Sequence, residues 1–89
     1  MVYFNPVTIK KTNTVCPVQW ELRDKHDLLL YINDRFGRVL VKLIRSFDEK
    51  DWYSPIFEHS FKYSENDLAS GLTLVEVIEI IKDKVSIDL

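Results

Sequence analysis

The chain has 89 residues, 46% of them hydrophobic and 29% charged, with two Gly, three Pro and one Cys. That length leaves room for one core and so for one domain, residues 1–89, and the composition excludes both a disordered tail and a disulfide scaffold. The net charge of −2 is far from that of a strongly basic nucleic-acid-binding chain, yet it is uneven: residues 1–45 carry eight Lys/Arg against four acids, and residues 46–89 four Lys against ten acids, which predicts two partly opposed electrostatic faces.

In chain order, Met1 to Pro6 shows no basic segment followed by an apolar run, so no signal peptide is expected. Val2 to Lys10 is rich enough in β-formers for a strand, broken or bulged at Asn5-Pro6. Val15 to Leu22 alternates, with Cys16, Val18, Trp20 and Leu22 on one side, the pattern of a strand with one buried face. Cys16, the lone thiol, fits that buried face and suits a reducing compartment, so a cytoplasmic location is expected. Pro17 cannot donate to a ladder, and an unpaired edge there or at the N-terminus would permit a homodimer through strand pairing.

Arg23 to Asp27 reads as a turn, and Leu28 to Asn33 as a strand apolar on both faces. Leu28 to Ile32 is also the longest apolar run, far short of the ~20 residues of a membrane helix. Asp34 to Gly37 predicts the next reversal, with Gly37 taking a positive φ, and Val39 to Arg45 a third strand. Ser46 to Pro55 reads as an acidic loop bearing Phe47, Trp52 and Tyr53. For residues 55–63 two signals compete. Ser54-Pro55 could start a helix, whereas Phe57, His59, Phe61 and Tyr63 alternate with polar residues; the alternation favours a strand. Thr73 and Glu76 then form a capping box ahead of Leu74, Val77, Ile78, Ile81 and Val85, an amphipathic helix over about 73–85. The sum is an α+β fold, a four- to five-stranded antiparallel meander with one C-terminal helix across one face. Its expected core is Cys16, Val18, Trp20, Leu22, Leu28, Leu30, Ile32, Val39, Val41, Leu43, Phe57, Phe61, Leu74, Val77, Ile78 and Ile81.

Three short segments, Cys16-Pro-Val-Gln-Trp-Glu21, Tyr31-Ile-Asn-Asp-Arg-Phe-Gly37 and Gly71-Leu-Thr-Leu-Val-Glu76, resemble small uncharacterised proteins of phages and bacterial genomes. In those a Pro-x-Gln-Trp-Glu strand leads to a Tyr-x-Arg-x-Arg-x-Gly hairpin and a Leu-Thr-x-x-Glu helix. The first Arg position of that hairpin is Asn33 here. The resemblance implies a viral or mobile-element origin and brings no activity with it.

Catalytic chemistry finds little footing. Cys16 with His26 or His59 would be the only thiol–imidazole pair, and burial of the Cys strand face argues against it. The two His and one Cys are scattered, Asp48, Glu49 and Asp51 lack the Gly and terminal Glu of a calcium loop, and two distant Gly do not make a phosphate cradle. No catalytic, cofactor or metal site is therefore expected. Two binding surfaces remain. Phe47, Asp48, Glu49, Asp51, Trp52 and Tyr53 mix carboxylates with large aromatics and suit docking of another protein, so that the chain reads as a non-enzymatic interaction module, such as a phage-encoded modulator or inhibitor. The alternative is nucleic-acid binding through Arg35, Arg38, Lys42 and Arg45 on the basic hairpin, with Tyr31 and Phe36 near enough to stack.

Overall fold

Residues 2–13, 18–65 and 71–89 are described by the computed structural model. Strand β1 (Val2–Phe4) is followed by β2 (Pro6–Asn13), β3 (Val18–Asp24), β4 (Leu29–Arg35) and β5 (Arg38–Ile44), then by a single helical turn, α1 (Glu49–Trp52). Strand β6 (Phe57–Lys62), helix α2 (Leu74–Ile81) and strand β7 (Val85–Ile87) complete the order. Strands β2 to β6 form one sheet in sequence order, each antiparallel to the next. The expected meander is therefore present, with five strands, and the break in the N-terminal strand falls at Asn5. Cys16 and the expected strand start at Val15 lie outside the described residues.

Register explains which side chains are buried. Leu22, Leu30 and Leu43 share one cross-strand row, Trp20, Ile32 and Val41 the next, and Val18, Asp34 and Val39 a third. All nine are buried. From β6, Phe57 and Phe61 join this face opposite Leu43 and Val39, as strand alternation requires. Helix α2 closes the layer with Val77 and Ile81, both fully buried, and Leu74 at the margin. Its start is the capping box read from the sequence: the Thr73 hydroxyl accepts from Glu76 N at 3.2 Å, and Thr73 N donates to the Glu76 carboxylate at 2.9 Å. The Thr73 backbone N–H first, and the Thr73 side chain second, favour the charged form and hold the Glu76 carboxyl below its usual range.

Three features depart from expectation. The helix ends at Ile81, where Lys84 N folds back to the Ile81 carbonyl at 2.8 Å. Val85 then leaves the helical stripe for β7, which runs parallel to β1 with Val2 opposite Val85 and Phe4 opposite Ile87. The reason is tertiary: β1 needs a partner, and the alternating β-branched residues of Val85-Ser-Ile87 supply one. The 46–55 loop contains α1, so the described residues hold two helices and not one.

The third departure is Asp34, which belongs to β4 and is fully buried instead of sitting in the turn. Its carboxylate accepts from the Tyr63 hydroxyl at 2.7 Å and from Leu72 N at 3.1 Å. The Tyr63 oxygen in turn accepts from Gly71 N at 3.2 Å. A buried charge is tolerated where donors converge on it, and these donors tie the lead-in of α2 to the end of the sheet.

Candidate functional site

The second face of the sheet carries the alternate residues of β4 and β5: Leu29 opposite Ile44, Tyr31 opposite Lys42, Asn33 opposite Leu40, and Arg35 opposite Arg38. Leu29 and Ile44 are completely buried although they point away from the main core. Beside them the 46–53 segment folds over the sheet. The Tyr31 ring meets Phe47 edge-on at 5.9 Å and Trp52 edge-on at 5.4 Å, and Phe47 stacks with Trp52 at 6.2 Å. Each such pair adds about 0.5–1.5 kcal/mol beyond simple burial.

Lys42 pins this cluster. It is 6% exposed; its ammonium donates to the Trp52 carbonyl at 2.9 Å and lies 3.8 Å from the Trp52 ring centroid. A desolvated cation over an indole contributes about 2 kcal/mol. Ser46 Oγ donates to Asp51 Oδ2 at 2.7 Å and accepts from Asp48 N at 3.2 Å, which fixes the entry into α1. The cover also leaves a mark on Tyr31: burial first, and the Glu21 carboxylate second, push its phenol above 10.0, partly offset by a hydrogen bond from the Asn33 side chain.

The six residues singled out for protein docking thus stand together with divided roles. Trp52 and Asp51 turn inward and build the lobe, while Tyr53 is 73% and Phe47 49% exposed on top of it. Asp48 and Glu49 are exposed beside them. Sequence reasoning missed the base of the lobe, Tyr31 and Ser46. Tyr31 shares the period-2 register of Leu29 and Asn33, which places it on the face that Trp52 covers.

The basic residues are divided too. Lys42 belongs to the lobe, and Arg45 is exposed just beyond the end of β5 remote from the hairpin turn. Arg35 and Arg38 face each other across the two-residue turn Phe36-Gly37, where both φ angles are positive, 57° and 73°. A type I′ turn demands that geometry and favours Asn-Gly; a Phe in the left-handed region carries strain of about 1–2 kcal/mol. Phe36→Asn is therefore expected to raise stability by about 1 kcal/mol in urea unfolding. Gly37 is buried, and its carbonyl accepts from Tyr63 N at 2.8 Å and Ser64 N at 3.3 Å, so the tip is clamped to the chain that follows β6. The Arg35 guanidinium lies 4.4 Å from the Phe36 ring centroid.

Between this tip and the lobe lies an open hollow of about 600 Å³, floored by the cross-strand row Asn33, Leu40 and Ser60 and walled by Arg35, Phe36 and Arg38. Among the described residues, the buried Asn33 Oδ1 finds no hydrogen-bond partner, a condition that costs about 1–3 kcal/mol. Asn33, Leu40 and Ser60 carry no motif; only the strand register assembles them.

His26 is exposed in the β3–β4 turn, where its backbone N donates to Asp24 Oδ1 at 2.8 Å. His59 lies on the core face of β6, its ring 6.1 Å from that of Phe61. Among the described residues, no three His, Cys, Asp or Glu gather as a metal site would require, and no helix is long and apolar enough to cross a membrane. Compared with models of known protein families, with curated proteins and with solved structures, the chain finds no significant match in any of the three.

Proposed function

We propose that the chain is a non-enzymatic protein-interaction module that docks a partner with its 47–53 lobe. The observation that carries this reading is the pairing of a rigid base with exposed aromatics: Tyr31, Lys42 and Trp52 are locked together, and Tyr53 and Phe47 stand above them. Aromatics held in place lose little entropy on binding, and a few such anchors carry most of the energy of an interface. The carboxylates of Asp48 and Glu49 beside them favour a partner with a basic rim around an apolar pocket. The sequence resemblance and the lone thiol support a phage-encoded modulator or inhibitor acting on a protein of the cytoplasm.

The test is to replace Phe47 and Tyr53 together by alanine and to compare the captured partners with those of the unaltered chain. Loss of a specific partner is expected from a variant that still folds, its unfolding free energy lowered by about 1–3 kcal/mol as the Phe47 ring leaves Tyr31 and Trp52, with reversal of Asp48 and Glu49 to lysine weakening the same partner. A folded double variant that retains every partner refutes the reading.

A further inference from the structure

Independently of the lobe, we propose that the hollow at the β4–β5 hairpin tip binds a nucleotide unit, its base lying on Leu40 beside Phe36 and its phosphate held by Arg35 and Arg38. Four observations converge on that chemistry. The hollow, at about 600 Å³, has the size of a small-molecule site, for which an apolar floor with a few polar groups at the rim is the usual build. Arg35 and Arg38 are cross-strand partners at the turn and both line the hollow, and no carboxylate lies within ion-pair distance of either among the described residues. Planar forked donors of that kind match the oxygens of a phosphate. The Phe36 ring, with Arg35 against it at 4.4 Å, gives a flat surface that accepts the π-face of any base.

Asn33 adds the fourth. It lines the hollow, and among the described residues its Oδ1 has no hydrogen-bond partner. The terminal torsion of Asn is broad, so reorientation of the amide, in exchange for its hydrogen bond to Tyr31, would turn that oxygen from the floor toward a ring N–H or amino group of a base. The strain at Phe36 fits the same picture: a left-handed aromatic at a clamped tip is tolerated where its ring has a task. An inorganic anion would use the arginines alone and leave Leu40, Phe36 and Asn33 without a role. The nucleotide can come from a free pool or from a single strand, and salt dependence together with chain length separates the two.

The experiment is an NMR titration of the ¹⁵N-labelled chain with inorganic phosphate, with thymidine 5′-monophosphate and with a short oligothymidylate. Saturable shifts confined to the amides of 33, 35–38, 40 and 60 are expected with the mononucleotide, at an affinity at least tenfold above that of phosphate. Arg35→Ala with Arg38→Ala is expected to weaken binding at least tenfold without moving the urea midpoint, because both side chains are exposed. If the source is a strand, the oligonucleotide binds at least tenfold more tightly than the monomer and loses affinity as salt rises; equal affinity per site assigns the free nucleotide. Absence of saturable shifts with both nucleotide probes overturns the proposal. So does equal binding of phosphate, or a double variant that binds as before.

Discussion

Asp34→Ala is expected to lower the unfolding free energy by about 2–3 kcal/mol, since it removes a fully buried acceptor from two part-buried donors, and a stranded donor costs about 1–3 kcal/mol. The carboxylate receives the Tyr63 hydroxyl and Leu72 N, from residues 29 and 38 positions further along the chain. Around it are Val18 and Val39, the neighbours in its cross-strand row, which offer no polar atom of their own side chains in place of the lost acceptor. The loss extends beyond two bonds, because the Tyr63 oxygen also receives Gly71 N. Freed of Asp34, that phenol no longer holds the segment that leads into α2. Asp34→Asn keeps one acceptor but turns an N–H₂ group toward a donor, and about half of the loss is expected. Urea unfolding gives the magnitude, and hydrogen exchange at Leu72 and Thr73 should rise ahead of exchange in the sheet. A change under about 1 kcal/mol would mean that the carboxylate is dispensable to the anchoring of α2.

Trp52→Ala is expected to cost about 2 kcal/mol, whereas Tyr53→Ala should stay within about 0.5 kcal/mol of the unaltered chain. The two aromatics are adjacent, and the contrast comes from what they touch. Trp52 contacts the Tyr31 and Phe47 rings and the Lys42 ammonium. Tyr53 is 73% exposed. Removing the indole takes away two aromatic pairs and one desolvated cation–π contact. The full loss of a buried Trp is not reached because Trp52 is only half-buried. A second readout separates loss of cover from general destabilisation. Burial is the leading cause of the raised Tyr31 phenol, so in Trp52→Ala its titration should move back toward 10.0, read from phenolate absorbance. The sign follows from the charge: water favours the phenolate, so access lowers the value. If Tyr31 titrates as before, the 46–53 segment does not depend on Trp52 to stay on the sheet.

The strands of the meander were legible because their signal is local. Val18, Trp20 and Leu22 alternate with polar residues, and the same period in Phe57, His59 and Phe61 outweighs the helix start suggested by Ser54-Pro55. What escaped was decided by partners distant in sequence. Val85 lies four residues beyond Ile81 and fits the helical stripe, and only the presence of Val2–Phe4 draws it into a strand. Asp34 precedes Arg-Phe-Gly, a sequence that reads as a turn, and its burial depends on Tyr63 and Leu72. Lys42 reads as a solvated charge on an outer face until Trp52 closes over it. The six residues proposed for docking lie within seven positions of one another and so stand together, but composition does not say which of two neighbouring aromatics turns inward. The hollow was invisible for the opposite reason: Asn33, Leu40 and Ser60 come from three strands and share nothing except register.

The parallel pairing of β1 with β7 bears on how the chain matures during translation. Each hairpin of the meander can zip as soon as its second strand leaves the ribosome, because its contacts are short-range. Phe4, 2% exposed in the finished fold, waits for residues 85–87, so a nascent chain halted before that point presents an unpaired, greasy N-terminal strand. Strand β1, made before the meander, is thus among the last elements of this domain to be secured, and that interval is when the domain is most open to mispairing with its copies.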